Sequence, residues 1–503
     1  MENMVLPNES VTQRSILSLR MLLLLLIPLL ATVFVLWKFF LVVNVPFRLD
    51  YAEGFVFTNA IALLHGAPMY HSVASAPYIF GFYTPLYNYL GSIFLGIFGQ
   101  SIAVLRTLTL FLYLATGITV GFIVKRSTKN TLAAIFAALL FCSAFIVSQW
   151  SSIARPDILG LFFIALGIAI VNVKSQKRSI SIFLVAFVFS LAFFSKQNFV
   201  FAPLAYFLWL LFENRRDAWR FAGTYAALVG VGVLALHVLT HGEFTKQIFV
   251  YTGLVPYGKI YLAFRIAALT GIVSLPLIGV AVWNVVRRPK QFFSLYFLCS
   301  FVTFLMLLRE VGIQNYLLEF ILALVLVATT SAPWEKVKTL PVKYFYPALL
   351  VLLCFFALWS YAAFPWETKT YVTARQTVFN RETSIINRGS QILVEDPLVA
   401  YATGSTVEVD PFTFGQIVDS GRISKAAFFS NVEHGTYTYI DDYGAFNRIP
   451  GFTAIVSDHF HAIATLTYPK PVKPFDYSVY NRNTFTDVGT LYRFQPAKSN
   501  VGE

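Results

Sequence analysis

Long apolar runs separated by short polar loops fill the chain from Met21 to about residue 363, and Lys and Arg gather in every second loop. A membrane-crossing helix needs roughly 20 apolar residues, and cytoplasmic loops collect the basic ones. The clusters Arg14/Arg20, Lys125/Arg126/Lys129, Lys174/Lys177/Arg178, Arg215/Arg216/Arg220, Arg287/Arg288/Lys290 and Lys336/Lys338/Lys343 thus mark the inside loops. The outside loops are then 44–102, 149–157, 195–199, 241–265, 309–319 and everything after about residue 364. The pattern predicts about eleven spans, with the N-terminus in the cytoplasm and the C-terminus outside.

One apolar segment must stay out of that count. If Pro85–Phe98 crossed, Lys125, Arg126 and Lys129 would land outside and every later loop would invert. It is also short and rich in Tyr, which predicts an interfacial or re-entrant helix and a long, membrane-hugging first outer loop. The run Met21–Val43 follows Arg14 and Arg20, exceeds a signal-peptide core and has no small-x-small cleavage site after it, so it reads as an uncleaved anchor.

Beyond the last span the pattern changes. The segments QILVEDPLVAYAT, TVEVDPFTF, FTAIVSD and VGTLYRF are short, alternating or β-rich, and are broken by Pro, Gly and Asp. We expect residues 1–20 to be a cytoplasmic tail, 21–363 a helical membrane domain, and 364–503 an extracytoplasmic α/β domain large enough for its own core. That last region holds no Asn-x-Ser/Thr sequon, which leans towards a prokaryotic cytoplasmic membrane.

Composition agrees with a polytopic membrane protein: 57% of residues are hydrophobic, 13% are charged, and the mean hydropathy is +0.66, more apolar surface than a soluble core absorbs. The net charge of +13 resides in the loop clusters and forms no continuous basic patch, so nucleic acid is not an expected partner. Cys142, Cys299 and Cys354 stand far apart in apolar runs, without disulfide or metal-ligand spacing.

The chemistry-bearing residues fall on the outer loops. Asp50 and Glu53, in RLDYAEG, directly follow the first apolar run, ahead of an amphipathic helix ending at Gly66. Asp at a helix N-cap with Glu three residues on is a capping arrangement, and a carboxylate there can also deprotonate a hydroxyl. Both readings stand if one carboxylate stays free. Tyr83 and Tyr87 lie in YTPLY and suit either interface anchoring or substrate contact. Arg155 and Asp157 pair with each other in ARPD, or leave Arg155 to face a phosphate. Lys196, followed by Gln197 and Asn198, is a cation in a short outer loop, against the positive-inside tendency, which suggests a bound anion. Arg309, Glu310, Asn315, Tyr316 and Glu319 form a further polar cluster between apolar runs. His65, His71 and Asp458-His459-Phe460-His461 lack the ligand number and spacing of a metal site.

The ordered set of an acid motif after the first span, YTPLY, ARPD, SKQNF and QNYLLE resembles bacterial members of glycosyltransferase family 39. These are C-type (GT-C) membrane glycosyltransferases, akin to protein O-mannosyltransferases and lipid A aminoarabinose transferases. LVEDPLVAYATG and VDPFTFGQ are similar to the C-terminal domain of a bacterial subset. The resemblance implies a polyprenyl-phosphate sugar donor, a lipid, glycan or protein acceptor, and inversion at the anomeric carbon. It also implies Asp50 as general base, Glu53 as an acceptor-orienting or capping acid, and Arg155, Lys196 and Arg309 as donor-phosphate cations. Tyr83, Tyr87, Asp157, Gln197, Asn315 and Tyr316 are the implied substrate-binding residues, with no cofactor and no indicated metal. Relatives commonly have an adjacent Asp-Glu pair, whereas Tyr51 and Ala52 intervene here. The rival expectation is a transporter or flippase of a glycolipid intermediate; the absence of internal repeats and the gathering of charges on one face speak against it.

Overall fold

The computed structural model describes residues 9–171, 178–255, 260–309, 314–334, 351–356, 369–467 and 488–495. The inside-loop residues Lys174, Lys177, Lys336, Lys338 and Lys343, together with Glu310, lie outside the described residues. Among the described residues, four helices are long and apolar enough to cross a membrane: Leu22–Val42, Ile102–Thr128, Arg215–Leu239 and Gln314–Ser331. The chain is an integral membrane protein. Shorter apolar helices, among them Thr131–Ser143, Asp157–Val171, Ser181–Ser195 and Phe201–Glu213, complete the bundle.

The apolar stretch between the expected loop 241–265 and the basic cluster at Arg287 is broken: Ala263–Val273 and Leu275–Arg287 meet at 82°. Pro276 sits in the first turn of the second helix, where its missing N–H costs nothing, so the chain restarts there rather than running on. Leu86–Phe98 is a 13-residue helix, roughly 20 Å long and too short to cross the apolar layer unaided. The helix Leu318–Ser331 runs through the middle of the bundle, with every residue from Leu318 to Thr329 buried.

The turn out of the first helix is held by one side chain. Arg106, on Ile102–Thr128, is fully buried and donates to the carbonyls of Val42, Val45 and Phe47 at 3.0, 2.7 and 2.8 Å. Its Nε and Nη2 donate to Glu53 Oε1 and Oε2 at 2.9 and 2.8 Å. Carbonyls left open at a helix C-terminus are thereby satisfied away from water, and the loop carrying Asp50 is pinned.

The C-terminal part forms a four-stranded sheet, from β1 (Ile392–Val394), β2 (Tyr439–Asp442), β3 (Phe460–Thr467) and β4 (Val488–Phe494), in the order β1-β2-β4-β3. β1 and β2 are parallel, and the other neighbours are antiparallel. Of the β-rich runs read in the sequence, VGTLYRF is a strand, whereas FTAIVSD is the helix Phe452–His459. QILVEDPLVAYAT gives β1 and then the helix Pro397–Thr403; in TVEVDPFTF, only Val409 makes a bridge before the helix Pro411–Asp419 begins. Asp396 and Asp410 cap these two helices, and a Pro follows each cap, a start signal that overrides local β preference.

This domain does not hang free of the bundle. Val45, Phe47, Phe57 and Ala60, from the segment after the first helix, share one apolar cluster with Ile392, Val394, Leu398, Tyr439 and Leu491. Tyr78 N–H donates to the Glu408 carbonyl at 2.7 Å, and Asp410 N–H donates to the Tyr78 carbonyl at 2.9 Å. Gly54 faces Pro397 so closely that a Cβ there would stand 2.8 Å from Pro397 Cδ, so only glycine permits this seating.

Candidate active site

A cavity of about 610 Å³ opens where the segment 44–102, the bundle and the C-terminal domain meet. Asp50 stands on its wall. Its backbone is extended, and Oδ1 caps Tyr51–Leu64 by accepting from Ala52 N–H at 3.0 Å. Oδ1 also accepts from Arg155 Nη1 at 2.6 Å. Oδ2 has no hydrogen-bond partner among the described residues, and the side chain is 18% exposed. The expected helix cap and a free carboxylate oxygen thus coexist in one residue.

Arg155 is engaged on every side. Nη1 bonds Asp50, Nη2 donates to Tyr83 Oη, Nε lies 3.4 Å from Asp157 Oδ2, and the guanidinium covers the Trp150 ring at 4.8 Å. Burial works against its charge, but Asp50, Tyr83 and Asp157 outweigh burial and hold the group protonated well above its ordinary range. Burial likewise pushes the Tyr83 phenol up. Lys196 Nζ lies 2.5 Å from Asp157 Oδ1, over the rings of Tyr83 and Tyr316 at 5.4 and 5.2 Å. Asn315 Nδ2 donates to the same Asp157 oxygen at 2.8 Å. Arg309 reaches the wall from beyond and donates to the Thr252 carbonyl at 3.0 Å.

The cavity therefore gathers Asp50, Tyr83, Arg155, Lys196, Gln197, Arg309, Asn315 and Tyr316 from segments far apart in sequence. Three of the expected residues lie elsewhere. Glu53 is fully buried, and its two oxygens accept four bonds: from Arg106 Nε and Ala154 N–H on Oε1, and from Arg106 Nη2 and Leu49 N–H on Oε2. A carboxylate so filled has no lone pair left for an acceptor proton, and the side chain does not line the cavity. Tyr87 points into an apolar cluster with Val56, Leu108 and Leu159 and bonds Thr109 Oγ1 at 3.0 Å. It does not line the cavity. Asp157 stands behind the wall as the shared anchor of Lys196, Arg155 and Asn315.

Sequence reading missed the far wall. Arg375, Phe412, Thr413, Gln416 and Arg448 of the C-terminal domain face the cavity opposite the bundle. On this side Arg48 covers the Tyr51 ring at 4.8 Å, Tyr51 meets Phe412 edge-on at 6.0 Å, and Arg448 covers Phe412 at 5.0 Å. Tyr51, which separates the two acids of the motif, donates to Asp410 Oδ1 at 2.6 Å and so ties the two domains together. Among the described residues no group of three His, Cys, Asp or Glu is placed to hold a metal. His65 lies near Gln100 and His71 near the Ser72 carbonyl, both at exposed positions.

A family model described as dolichyl-phosphate-mannose-protein mannosyltransferase matches residues 83–241, about a third of the chain. That stretch takes in Tyr83, Arg155 and Lys196. Among solved structures, ArnT from Cupriavidus metallidurans bound to undecaprenyl phosphate is similar over 94% of this chain and 99% of its own, with a TM-score of 0.60 at 14% identity. The Archaeoglobus fulgidus oligosaccharyltransferase tethered with an acceptor peptide is similar over 98% of this chain and 75% of its own, with a TM-score of 0.51 at 12% identity. The same archaeal enzyme in complex with an inhibitory peptide and a dolichol-phosphate also scores 0.51, at 10% identity. No curated protein matches the sequence. The chain has the GT-C fold, as its ordered motifs led us to expect.

Proposed function

We propose that this chain is a membrane glycosyltransferase that moves a sugar from a polyprenyl-phosphate donor to a lipid, glycan or protein acceptor at the outer face of a prokaryotic cytoplasmic membrane. The observation that carries the reading is the free Oδ2 of Asp50 in a cavity whose bundle side presents Arg155, Lys196 and Arg309. In a single displacement, Asp50 Oδ2 takes the acceptor's hydroxyl proton while the acceptor oxygen bonds to the anomeric carbon. The bond from that carbon to the phosphate oxygen breaks, its electron pair stays on the departing polyprenyl phosphate, and the anomeric configuration inverts. Cations beside the phosphate stabilise charge that grows only in the transition state.

Arg155 has two duties here. It fixes Oδ1 of Asp50 and so aims Oδ2 into the cavity, and its positive edge lies beside the departing phosphate. The C-terminal wall, with its alternating guanidinium and aromatic faces, suits an acceptor approaching from the opposite side. The test uses purified protein in detergent, labelled polyprenyl-phosphate sugar and a panel of acceptors. Transfer without any sealed compartment is expected, and Asp50→Asn should lose it while remaining monodisperse and folded. Full activity in that variant would sink the assignment of the base, and strict dependence on sealed vesicles would return the chain to the transporter class.

A further inference from the structure

Two residues ahead of Asp50 the main chain is held by the C-terminal domain. Arg48 N–H donates to Asp396 Oδ2 at 3.2 Å, and the Arg48 guanidinium donates to the Glu395 carbonyl and lies 4.0 Å from the same Asp396 oxygen. The other oxygen, Asp396 Oδ1, accepts from Leu398 N–H at 3.0 Å and caps the helix Pro397–Thr403. A helix cap needs only one oxygen, so the second is left for Arg48, in a side chain that is itself buried. The next two residues extend the contact. Pro397 is seated against Gly54, and Leu398 shares an apolar cluster with Phe47. The tripeptide Asp396-Pro397-Leu398 thus meets the base segment at residues 47, 48 and 54, on both sides of Asp50.

The structure assigns Asp396 as a positioning residue for Asp50, acting through the main chain of Arg48. This rests on Asp50 being the base of the proposed transfer. Both donors to the Asp50 carboxylate, Ala52 N–H and Arg155 Nη1, bond Oδ1. Two bonds to one oxygen leave Oδ2 able to swing about it, so the direction of Oδ2 follows from where the main chain enters. That entry is set by consecutive N–H groups: Leu49 is held by Glu53 Oε2 at 2.7 Å, and Arg48 by Asp396. Asp410 also reaches the segment, but through the Tyr51 phenol, a side-chain contact one bond rotation removed from the backbone. A reacting group misplaced by about 1 Å loses about a hundredfold in rate. Arg155, Lys196 and Arg309 have no contact with Asp396, so donor binding does not depend on it.

The experiment compares the full chain with its Asp396→Ser variant in detergent, by sugar transfer, by equilibrium binding of bare polyprenyl phosphate, and by amide hydrogen exchange. Ser keeps a capping oxygen for the helix and has no second one for Arg48. kcat should fall about ten- to a hundredfold, while KM for donor and acceptor and the affinity for the bare lipid stay as in wild type. Exchange should quicken at Arg48 and remain slow in the helices Pro397–Thr403 and Pro411–Asp419. Unchanged kcat would overturn the inference. A raised KM with kcat kept would place Asp396 in binding and overturn it too, and so would fast exchange throughout the C-terminal domain or loss of the folded protein, which would make Asp396 a stability residue of its own domain. Wild type gives a check that needs no variant: the amides of Arg48 and Leu49 should be protected, and fast exchange there would show that the clamp does not form. A wild type that transfers no sugar would instead remove the glycosyltransferase reading, and this role along with it.

Discussion

Arg106 Nη2 stands 2.8 Å from Glu53 Oε2 with both side chains wholly excluded from solvent. This pair, more than the acid motif taken alone, fixes where Asp50 lies. Glu53 holds the N–H of Leu49, just before Asp50, and that of Ala154, just before Arg155. The two partners of the Asp50–Arg155 ion pair are thus referenced to one buried carboxylate. Removing one member of a buried pair leaves the other charged and unpaired, at a cost of about 3–5 kcal/mol. Arg106→Met should therefore unfold at a clearly lower temperature in detergent, and so should Glu53→Gln, which leaves Arg106 charged and turns an amide NH2 towards one of its N–H groups and a backbone N–H. A thermal unfolding curve for Arg106→Met that overlays wild type would show the pair to be dispensable.

Tyr83 and Tyr87 are four apart in YTPLY, yet they part company at Pro85. The helix begins at Leu86, so Tyr83 stays in the loop beside Arg155, while Tyr87 turns inward to Thr109. Tyr87→Phe should leave KM and kcat for sugar transfer unchanged and lower stability by about 1 kcal/mol, the net worth of one hydrogen bond. Tyr83→Phe should lower kcat, because Arg155 loses a partner that helps hold it against Asp50. Steady-state kinetics on the two variants, side by side, would reverse the assignment if Tyr87 proved the sensitive one.

How much of this was legible depends on range. Apolar runs and loop charges are local, so the membrane class and the outer-loop candidates could be read directly. Asp50, Arg155, Lys196 and Asn315 were each noticed singly, but their convergence depends on helix packing that no local pattern encodes. Arg106 went unremarked although an arginine inside an apolar run is itself a signal that some buried acid or carbonyl must meet it. FTAIVSD was misread because seven residues fit either period, and the helix is set by Gly451, whose φ of 88° starts it. The C-terminal wall of the cavity was invisible because Phe412 and Arg448 meet Tyr51 and Arg48 only through long-range docking.

The sidedness expected from loop charge is open to direct chemical test. Ser127 sits in an expected inside loop beside Arg126 and Lys129, and Ser430 lies in the C-terminal domain; both are exposed. With Cys142, Cys299 and Cys354 replaced, Ser430→Cys in intact spheroplasts should react with a membrane-impermeant maleimide. Ser127→Cys should react only after permeabilisation. Labelling of both from the same side would overturn the parity that places the cavity outside.

The seam between the domains carries a titrating group. Asp410 caps the helix Pro411–Asp419 and accepts from Tyr51 Oη at 2.6 Å, and burial pushes its carboxyl up from 3.8 to about 6. Between those values the folded protein holds a proton that the unfolded chain has released, so ∂ΔG/∂pH is negative there. The contribution is fully present below the unfolded value and is lost as pH rises through about 6, roughly 3 kcal/mol at most. Glu395 and Asp441 are also pushed up by burial, so the total pH profile of wild type is not specific to Asp410. Comparison with Asp410→Asn isolates it, since Asn keeps an oxygen for Tyr51 and remains a good helix cap. Between pH 4 and 6 the unfolding temperature of wild type should fall more steeply than that of Asp410→Asn, and above about pH 6.5 the two curves should run parallel. Curves that are parallel throughout would mean that the Tyr51–Asp410 contact is indifferent to the ionisation of Asp410.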